Sequence, residues 1–226
     1  MRYFPQLAGG ASGQFPFVRK TRRRTARCEQ MDGREWKIAD NSIREVEWVL
    51  EWRGLSRSEW VELESLFHET EGRRGTFVFL DPWDNLLVWS ENLAAEAWVK
   101  DPYLVVTPGV EDPFGGTGAT RLRNDGGTTQ GIEQVLEAPS WYQYCLSVWV
   151  RGGAGEEVTL YGRTGTAGEA RTVKLSGTWR RVSLPVKLNA GEELIKFGLE
   201  LDAGRLVDVF GMQVEAQAGA SQYKST

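Results

Sequence analysis

The side chains best suited to binding a ligand lie in a predicted strand over residues 142–151. Alternate residues of a strand point to opposite faces of its sheet, and here one set is apolar while the other is mixed. The mixed set is Gln143, Cys145, Ser147, Trp149 and Arg151. A tryptophan ring covers the C–H face of a pyranose, and Arg or Gln side chains pair with its hydroxyls. The pattern is therefore typical of a sugar-binding face.

Polar residues of two neighbouring predicted strands, 118–124 and 131–136, are candidates for the same face. They are Arg121, Arg123 and Gln134. We predict a glycan-binding site formed by Trp149, Arg151, Gln134 and Arg121, with the strand register deciding which of them meet. The alternative is that a loop buries Trp149, and the sequence leaves both open.

No arrangement of residues indicates catalysis. The single histidine, His68, has no recognisable nucleophile beside it. The glycine-rich segment 115–121 lacks the strand–helix context and the Lys-Ser/Thr of a phosphate-binding loop. We predict a protein that is not an enzyme and has no cofactor or metal. The least favoured alternative is a polysaccharide hydrolase, which needs two carboxyls roughly 5–10 Å apart across a cleft.

The composition is that of an ordinary globular protein. A length of 226 residues suffices for one large or two modest domains, and the net charge of −4 does not indicate a nucleic-acid partner. There is no apolar run of 18 residues and no signal-peptide core, so we expect no membrane insertion and folding in the cytoplasm. Cys28 and Cys145 form no CxxC motif, and we expect two free, buried thiols; the alternative is a disulfide between the two predicted domains.

Residues 86–226 are predicted to form a β-sandwich of the jelly-roll type. Turns rich in Gly, Asp, Pro and Asn separate nine strand-like segments: 103–107, 118–124, 131–136, 142–151, 156–161, 170–175, 179–188, 193–201 and 206–215. Short strands at such regular spacing, without a helix between them, are typical of two-sheet sandwiches.

Residues 1–85 are predicted to form a small antiparallel sheet or barrel with one helix. The glycine-rich start up to Gly13 is expected to be extended. Strands are expected at 14–29, 34–40, 43–53 and 75–80, with a hairpin turn at Asp32-Gly33. The strand 43–53 alternates polar residues with an apolar set expected in a core: Val46, Trp48, Leu50 and Trp52.

The helix of this first unit is predicted over residues 56–72. Ser56 and Glu59 have the spacing of a capping box. One face then carries the apolar residues Trp60, Leu63 and Phe67.

Three consecutive arginines, Arg22, Arg23 and Arg24, stand in the first strand. They suit either a phosphate-binding patch or ion pairs across the sheet, and the second is favoured because acidic residues are available in the strand 43–53. Those residues are Glu45, Glu47 and Glu51.

Two end motifs of the second unit resemble a module of bacteriophage tail and tail-fibre proteins. The opening is NLLVWSENLAAEAWVK (85–100), and the end, FGMQVEAQAGASQYKST (210–226), has the G-x-Q-x-E pattern followed by small residues, Tyr and Thr. Between them, YCLSVWVRG and TWRRVSL resemble core strands of carbohydrate-binding jelly rolls. Such jelly rolls often hold a structural calcium near the last strand. Asp208 lies there, but its surroundings depart from their pattern, and no metal is predicted.

The first unit resembles a distal-tail or tail-hub domain of phages or prophages. The resemblance rests on the basic first strand, the E-x-x-x-L-x-x-x-F helix at 59–67 and G-x-F-x-F-x-D-P at 75–82. It implies a virion-tail location, self-association into a ring, and contacts with other tail proteins such as tube and hub. Together the two resemblances imply a tail component whose jelly roll binds a cell-surface polysaccharide. The alternative is a purely structural tail protein whose jelly roll braces the tail.

Overall fold

The structure, a computed structural model, describes residues 2–72 and 74–226, apart from the side chains of residues 15, 16, 23, 24 and 38–44. This part of the chain contains one α-helix and twelve strands. The elements are β1 (Gln14–Glu29), β2 (Glu35–Glu51), α1 (Arg57–Glu69), β3 (Val99–Lys100), β4 (Leu104–Val110), β5 (Ala119–Asn124), β6 (Gln130–Glu137), β7 (Gln143–Arg151), β8 (Glu157–Arg163), β9 (Gly168–Lys174), β10 (Arg180–Lys187), β11 (Leu194–Leu201) and β12 (Leu206–Glu215).

Strands β3 to β12 form a sandwich of two antiparallel five-stranded sheets. The β7 sheet has the order β10-β7-β12-β5-β4, and the β11 sheet has the order β3-β6-β11-β8-β9. The mainly β fold and the sandwich predicted from the sequence are therefore confirmed. All nine predicted strands are present, and β3 is an additional short edge strand.

The core lies between the two sheets and follows the alternation of the strands. In β7, Tyr144, Leu146, Val148 and Val150 point inward and are almost fully buried. From the opposite sheet, inward residues such as Leu160, Phe197 and Leu199 pack against them. The predicted apolar face of β7 is thus the core face, and its mixed face points outward.

The two end motifs of the sandwich interlock. Asn85 donates from Nδ2 to the carbonyl oxygens of Met212 and Lys224 at 2.9 and 3.3 Å. Its Oδ1 accepts from the backbone N–H groups of Leu87 and Val214 at 3.1 and 3.0 Å. One side chain therefore joins the opening segment, the last strand and the C-terminal tail, by which we mean residues 217–226.

Further contacts fix this junction. The hydroxyl of Tyr223 lies 3.0 Å from that of Ser90 and donates to Glu91 at 2.9 Å. The backbone N–H of Thr226 donates to the Ser90 hydroxyl at 3.0 Å. Gly211 has a positive φ of 63°, and a Cβ there would lie 2.8 Å from the Tyr223 ring. The glycine of the G-x-Q-x-E motif thus makes room for the tail.

The N-terminal unit is simpler than predicted. The strands expected at 34–40 and 43–53 are a single strand, β2, which pairs with β1 in a two-stranded sheet. The prediction of a strand at 75–80 is wrong. In the described residues of this segment, Val78 forms an isolated β-bridge with Tyr3. The predicted domain boundary near residue 85 stays a prediction.

The start of the chain packs against the sandwich rather than extending freely. The side chain of Gln6 donates to the carbonyl oxygens of Gln143 and Ala216 at 2.9 and 3.1 Å, and its Oε1 accepts from the backbone N–H of Gln143 at 2.6 Å. Leu7 is buried. The glycine-rich composition therefore indicates a tight path over a surface, not an extended segment.

Helix α1 confirms the predicted helix and its capping box, but its apolar side chains are not buried in a core. The Ser56 hydroxyl accepts from the backbone N–H of Glu59, and the Glu59 carboxylate accepts from the backbone N–H of Ser56, which completes the capping box. No residue of the helix is buried. Likewise, Trp48 and Trp52 of β2 are half-buried rather than in a core, because their face borders open cavities.

The arginine cluster forms ion pairs where it is described. Arg22 donates to Glu47 at 2.9 Å, and the Lys20 ammonium lies 3.6 Å from the same carboxylate. The side chains of Arg23 and Arg24 lie outside the described part of the chain. Both cysteines are free, as predicted, but only Cys145 is buried, whereas Cys28 is exposed in β1.

Candidate glycan-binding site

A buried aspartate holds two arginines on the outer face of the β7 sheet. The register places Asp208 of β12 opposite Arg121 of β5 and Arg151 of β7. Arg121 donates to Asp208 from Nε at 2.7 Å and from Nη2 at 3.1 Å. Arg151 donates to it from Nε at 3.2 Å and from Nη2 at 3.1 Å. Four charge-assisted bonds therefore orient both guanidinium groups.

The two arginines differ in how much they offer to a ligand. Arg151 also bonds Glu111 at 3.3 Å and lies over the Trp179 ring at 4.7 Å from its centroid. Its side chain is 21% exposed, whereas that of Arg121 is 46% exposed. Hydrogen bonding to Asp208 and its charge raise the pKa of Arg121. Arg121 is therefore the fixed cation that faces solvent.

The exposed aromatic ring beside these arginines is Phe114, not Trp149. Phe114 lies edge-on to both Trp149 and Phe210, with ring centroids 5.8 Å apart in each pair. Trp149 is only partly exposed beneath it, whereas Phe114 is 68% exposed. The loop that carries Phe114 therefore partly covers Trp149, as in the alternative predicted from the sequence. The Phe114 ring itself is the exposed aromatic surface at this position, and we call it the platform.

The loop that carries Phe114 is built around Asp112. The Asp112 carboxylate accepts from the backbone N–H groups of Phe114, Gly116 and Gly118 at 2.8, 3.1 and 3.0 Å. Desolvation alone would raise the pKa of Asp112, but these bonds outweigh it and hold the pKa below its usual range. The platform is therefore preorganised.

Asp112→Ala is expected to loosen this loop and weaken any ligand bound at Phe114 several-fold, because three backbone donors lose their acceptor. Because the folded pKa is lowered, the stabilisation by Asp112 is complete above the unfolded pKa of about 3.9. It is lost as the pH falls through the lower folded value. Amide hydrogen exchange at residues 114–118 checks both statements. Unchanged protection in the variant would contradict them.

A shallow cavity of about 330 Å³ lies at this end of the sheet. Its lining combines the Asp208 cluster with three glycines that leave the surface open: Arg121, Arg151, Asp208, Leu206, Gly152, Gly153 and Gly177. The guanidinium groups at this cavity can pair with sugar hydroxyls. The Phe114 ring does not line the cavity; it offers a stacking surface beside Trp149 and Phe210 on the same outer face.

Gln134 is not part of this cluster. It lies in β6 of the opposite sheet, where its amide accepts from the Val88 N–H at 3.2 Å and donates to the Val88 carbonyl at 2.6 Å. Arg123 forms an ion pair with Asp125 at 2.7 Å. The structure therefore brings together Trp149, Arg151 and Arg121, and gives Gln134 a bracing contact inside the sandwich.

The C-terminal tail covers much of the remaining outer face of the β7 sheet. Glu215 is fully buried and accepts from the Ser221 N–H at 2.8 Å and from Lys224 at 3.2 Å. Gln213 accepts from the Lys224 N–H at 2.8 Å. The mixed face predicted from the sequence is thus open mainly at the end of β7 near Trp149 and Arg151.

Sequence reasoning missed Phe114, Trp179 and Glu111. Phe114 stands in the loop EDPFGG, where a large apolar residue among turn-forming residues is itself a signal of a presented side chain. Trp179 opens the strand β10, and its contact with Arg151 depends on the order of strands in the sheet.

No protein-family model matches the chain, and comparison with curated proteins gives no significant match. Among solved structures, it is similar to the enzymatically active domain of tailspike protein 4 of bacteriophage CBA120, with 11% identity, 63% of this chain covered and a TM-score of 0.48. The match spans only 24% of that tailspike chain.

Two carbohydrate-binding modules give similar values. The C-terminal family 22 module of Clostridium thermocellum Xyn10B has 13% identity, a TM-score of 0.48, and coverage of 63% of this chain and 98% of its own. The module TmCBM61, solved with β-1,4-galactotriose, has 19% identity, a TM-score of 0.45, and coverage of 58% and 97%. With TM-scores below 0.5, these matches do not identify a family for the chain.

Among the described residues, no helix is both long and apolar enough to cross a membrane. In the same part of the chain, no three His, Cys, Asp or Glu side chains are grouped so that they would hold a metal ion.

Proposed function

We propose that this chain is an adhesive component of a phage or prophage tail, in which the sandwich binds a glycan of the host surface and the N-terminal unit assembles with other tail proteins. The observation that carries the glycan-binding part is that Phe114 and Arg121, both on the outer face of the β7 sheet, are each held in place by an aspartate. The tail location rests on the resemblance of the end motifs and the first unit.

The geometry suits a glycan because its two recognition groups are fixed before a ligand arrives. Asp112 holds the loop of Phe114, and Asp208 holds Arg121. Less conformational entropy is then lost on binding than with mobile side chains. We propose that a pyranose stacks on Phe114 and that Arg121 pairs with hydroxyls or a carboxylate of the same glycan. We propose binding without turnover.

A second candidate function is a bracing role in which the sandwich binds no ligand. The observation that favours it is the C-terminal tail, which packs on the outer face of the β7 sheet at Gln213 and Glu215 and reduces the area open to a ligand. Single contacts of that size bind weakly. A phage tail that presents several copies of this chain would raise the avidity for the glycan by about 10²–10⁴ where the geometry allows.

Binding of the full-length chain to host cell envelopes tests the proposal. Phe114→Ala is expected to weaken saturable binding about tenfold, a loss of about 1.4 kcal/mol, because the stacking surface is removed. Tyr103→Ala is the matched control, since Tyr103 is 61% exposed on the same sandwich, similar to the 68% of Phe114. The control is expected to bind like the unmodified chain.

The competing functions give different results in the same assay. No saturable binding even when the chain is clustered on beads would favour the bracing role, whereas equal loss in both variants would contradict a specific role of Phe114. Release of soluble sugar from purified envelope polysaccharide would contradict binding without turnover. Arg121→Ala, which removes the cation but leaves Phe114 in place, separates a sugar that needs a positive partner from one that only stacks.

A further inference from the structure

The charged group left open at the shallow cavity of the β7 sheet is a cation. Two arginines, Arg121 and Arg151, and one carboxylate, Asp208, line this cavity. Both oxygens of Asp208 accept bonds from these arginines, and its side chain is 5% exposed. The carboxylate of Glu111, which also contacts Arg151, is 71% exposed, and an ion pair so open to water contributes little.

Arg121 carries this open charge. Its Nε and Nη2 atoms donate to Asp208, whereas its Nη1 makes no hydrogen bond within the described part of the chain. The side chain is nearly half exposed. A guanidinium group that is already fixed can form parallel N–H bonds with a carboxylate or a phosphate, and the full negative charge of such a group strengthens these bonds relative to a hydroxyl.

The rest of the lining leaves room for an anionic group. Three of its residues are the glycines Gly152, Gly153 and Gly177. A Cβ at Gly177 would have no atom within 4 Å, and this glycine is not among those with a positive φ. Its backbone conformation therefore does not require glycine, and the missing side chain keeps the cavity open.

The neighbouring part of the same outer face leaves donors rather than acceptors unpaired. The indole Nε1 atoms of Trp149 and Trp179 and the Nε atom of Arg181 are buried and have no partner within the described part of the chain. The three residues adjoin the cavity, because Arg181 lies opposite Trp149 and the Arg151 guanidinium lies over the Trp179 ring. Buried donors are nearly always paired. Here no oxygen compensates their partial positive charge, which favours a negative ligand nearby.

We propose that this cavity binds an anionic group, a carboxylate or a phosphate, of an acidic polysaccharide. The inference rests on the proposed binding of a glycan and names the class of that glycan. Arg121 holds the charged group, while Phe114 stacks on a sugar ring of the same polymer. The chain as a whole has a net charge of −4 and repels a polyanion at long range. Selective binding of an acidic polymer therefore depends on this local cluster.

Binding of the full-length chain to immobilised polymers tests this inference. Polygalacturonate supplies carboxylates, a poly(glycerol phosphate) supplies phosphodiesters, and galactan is neutral. The measurement is made at about 0.15 M salt, where the Debye length is about 8 Å and long-range attraction is screened. At least one acidic polymer is expected to bind about tenfold more tightly than galactan, and the stronger of the two identifies the anionic group.

Two arginines of β5 provide a matched pair of variants. Arg121→Gln removes the open charge and is expected to weaken binding of the acidic polymer about tenfold, because a hydrogen bond between charged groups is lost. Arg123→Gln is the control, since Arg123 is similarly exposed on the same strand but pairs with Asp125. The control is expected to bind like the unmodified chain.

A second pair of variants tests the charge of the cavity without removing an arginine. Gly177→Asp and Gly177→Asn add side chains of equal size where a Cβ meets no neighbour, so both are expected to fold. The aspartate repels an anionic ligand and is expected to weaken binding several-fold more than the asparagine.

Three results would overturn the inference: galactan bound as tightly as both acidic polymers, equal losses in Arg121→Gln and Arg123→Gln, or equal affinities of the Asp and Asn variants. Host envelopes separate this inference from the proposed function. Binding that survives both reduction of the envelope carboxyls and cleavage of its phosphodiesters would contradict an acidic ligand but leave glycan binding intact. Absence of binding to untreated envelopes would contradict the proposed function, while the purified polymers still decide whether the cavity binds anions.

Discussion

Asn85→Ala is expected to lower the free energy of unfolding by about 3 kcal/mol. The Asn85 side chain is buried and makes four hydrogen bonds, with the backbone of Leu87, Met212, Val214 and Lys224. Alanine leaves these donors and acceptors without a partner, and each unsatisfied buried group costs about 1–3 kcal/mol before water enters. For a chain of this size the midpoint of thermal unfolding should fall by about 6–12 °C.

Asn92→Ala is the matched control for this prediction. Asn92 is an exposed asparagine of the same opening segment, and its Oδ1 accepts one bond from the Ala94 N–H at 3.2 Å. Its replacement is expected to cost less than about 1 kcal/mol. Denaturant unfolding followed by tryptophan fluorescence measures both. Equal effects of the two variants would show that Asn85 does not join the ends of the sandwich.

Trp98→Ala is expected to lower the free energy of unfolding by about 3–5 kcal/mol. Trp98 is 1% exposed and is one of the largest fully buried side chains in the described part of the chain. Its Nε1 donates to the carbonyl of Trp89 at 3.1 Å. The substitution therefore opens a cavity in the core and removes a buried hydrogen bond.

Two further variants separate these contributions. Trp98→Phe keeps most of the ring volume but loses the Nε1 donor, and it is expected to cost about half as much as alanine. Trp141→Ala removes a tryptophan that is 44% exposed and is expected to cost under about 1.5 kcal/mol. A Trp98→Ala variant as stable as Trp141→Ala would contradict the position of Trp98 in the core.

The strands of the sandwich were predictable because their signal is local. In β7 the alternation of Tyr144, Leu146 and Val148 with polar residues indicates both the strand and its inward face, since any two-sheet sandwich buries one face. The capping box at Ser56 is local in the same sense. It indicates where α1 begins, but whether its apolar face is covered depends on what packs there, and Trp60 and Phe67 on that face remain exposed.

The site was only partly predictable because it depends on which strands are neighbours. Arg121 and Arg151 meet because β12 lies between β5 and β7 and places Asp208 opposite both. Gln134 follows an equally suitable pattern, but its strand belongs to the other sheet. Phe114 lies in a loop, where no periodicity indicates the direction of a side chain. Its place among turn-forming residues was the one available signal, and the contacts of Asp112 show how the loop is held.

The interlock at Asn85 has a consequence for how the stretch from Asn85 to Thr226 relates to other proteins. Ser90, near its first residue, and Thr226, its last described residue, are hydrogen-bonded to each other. A segment whose entry and exit lie side by side needs no long linker to be grafted into a loop of an unrelated scaffold. This stretch therefore has the geometry of a segment that can be inserted into a loop, and its transfer to another scaffold would break the hydrogen bonds that Gln6 makes with Gln143 and Ala216.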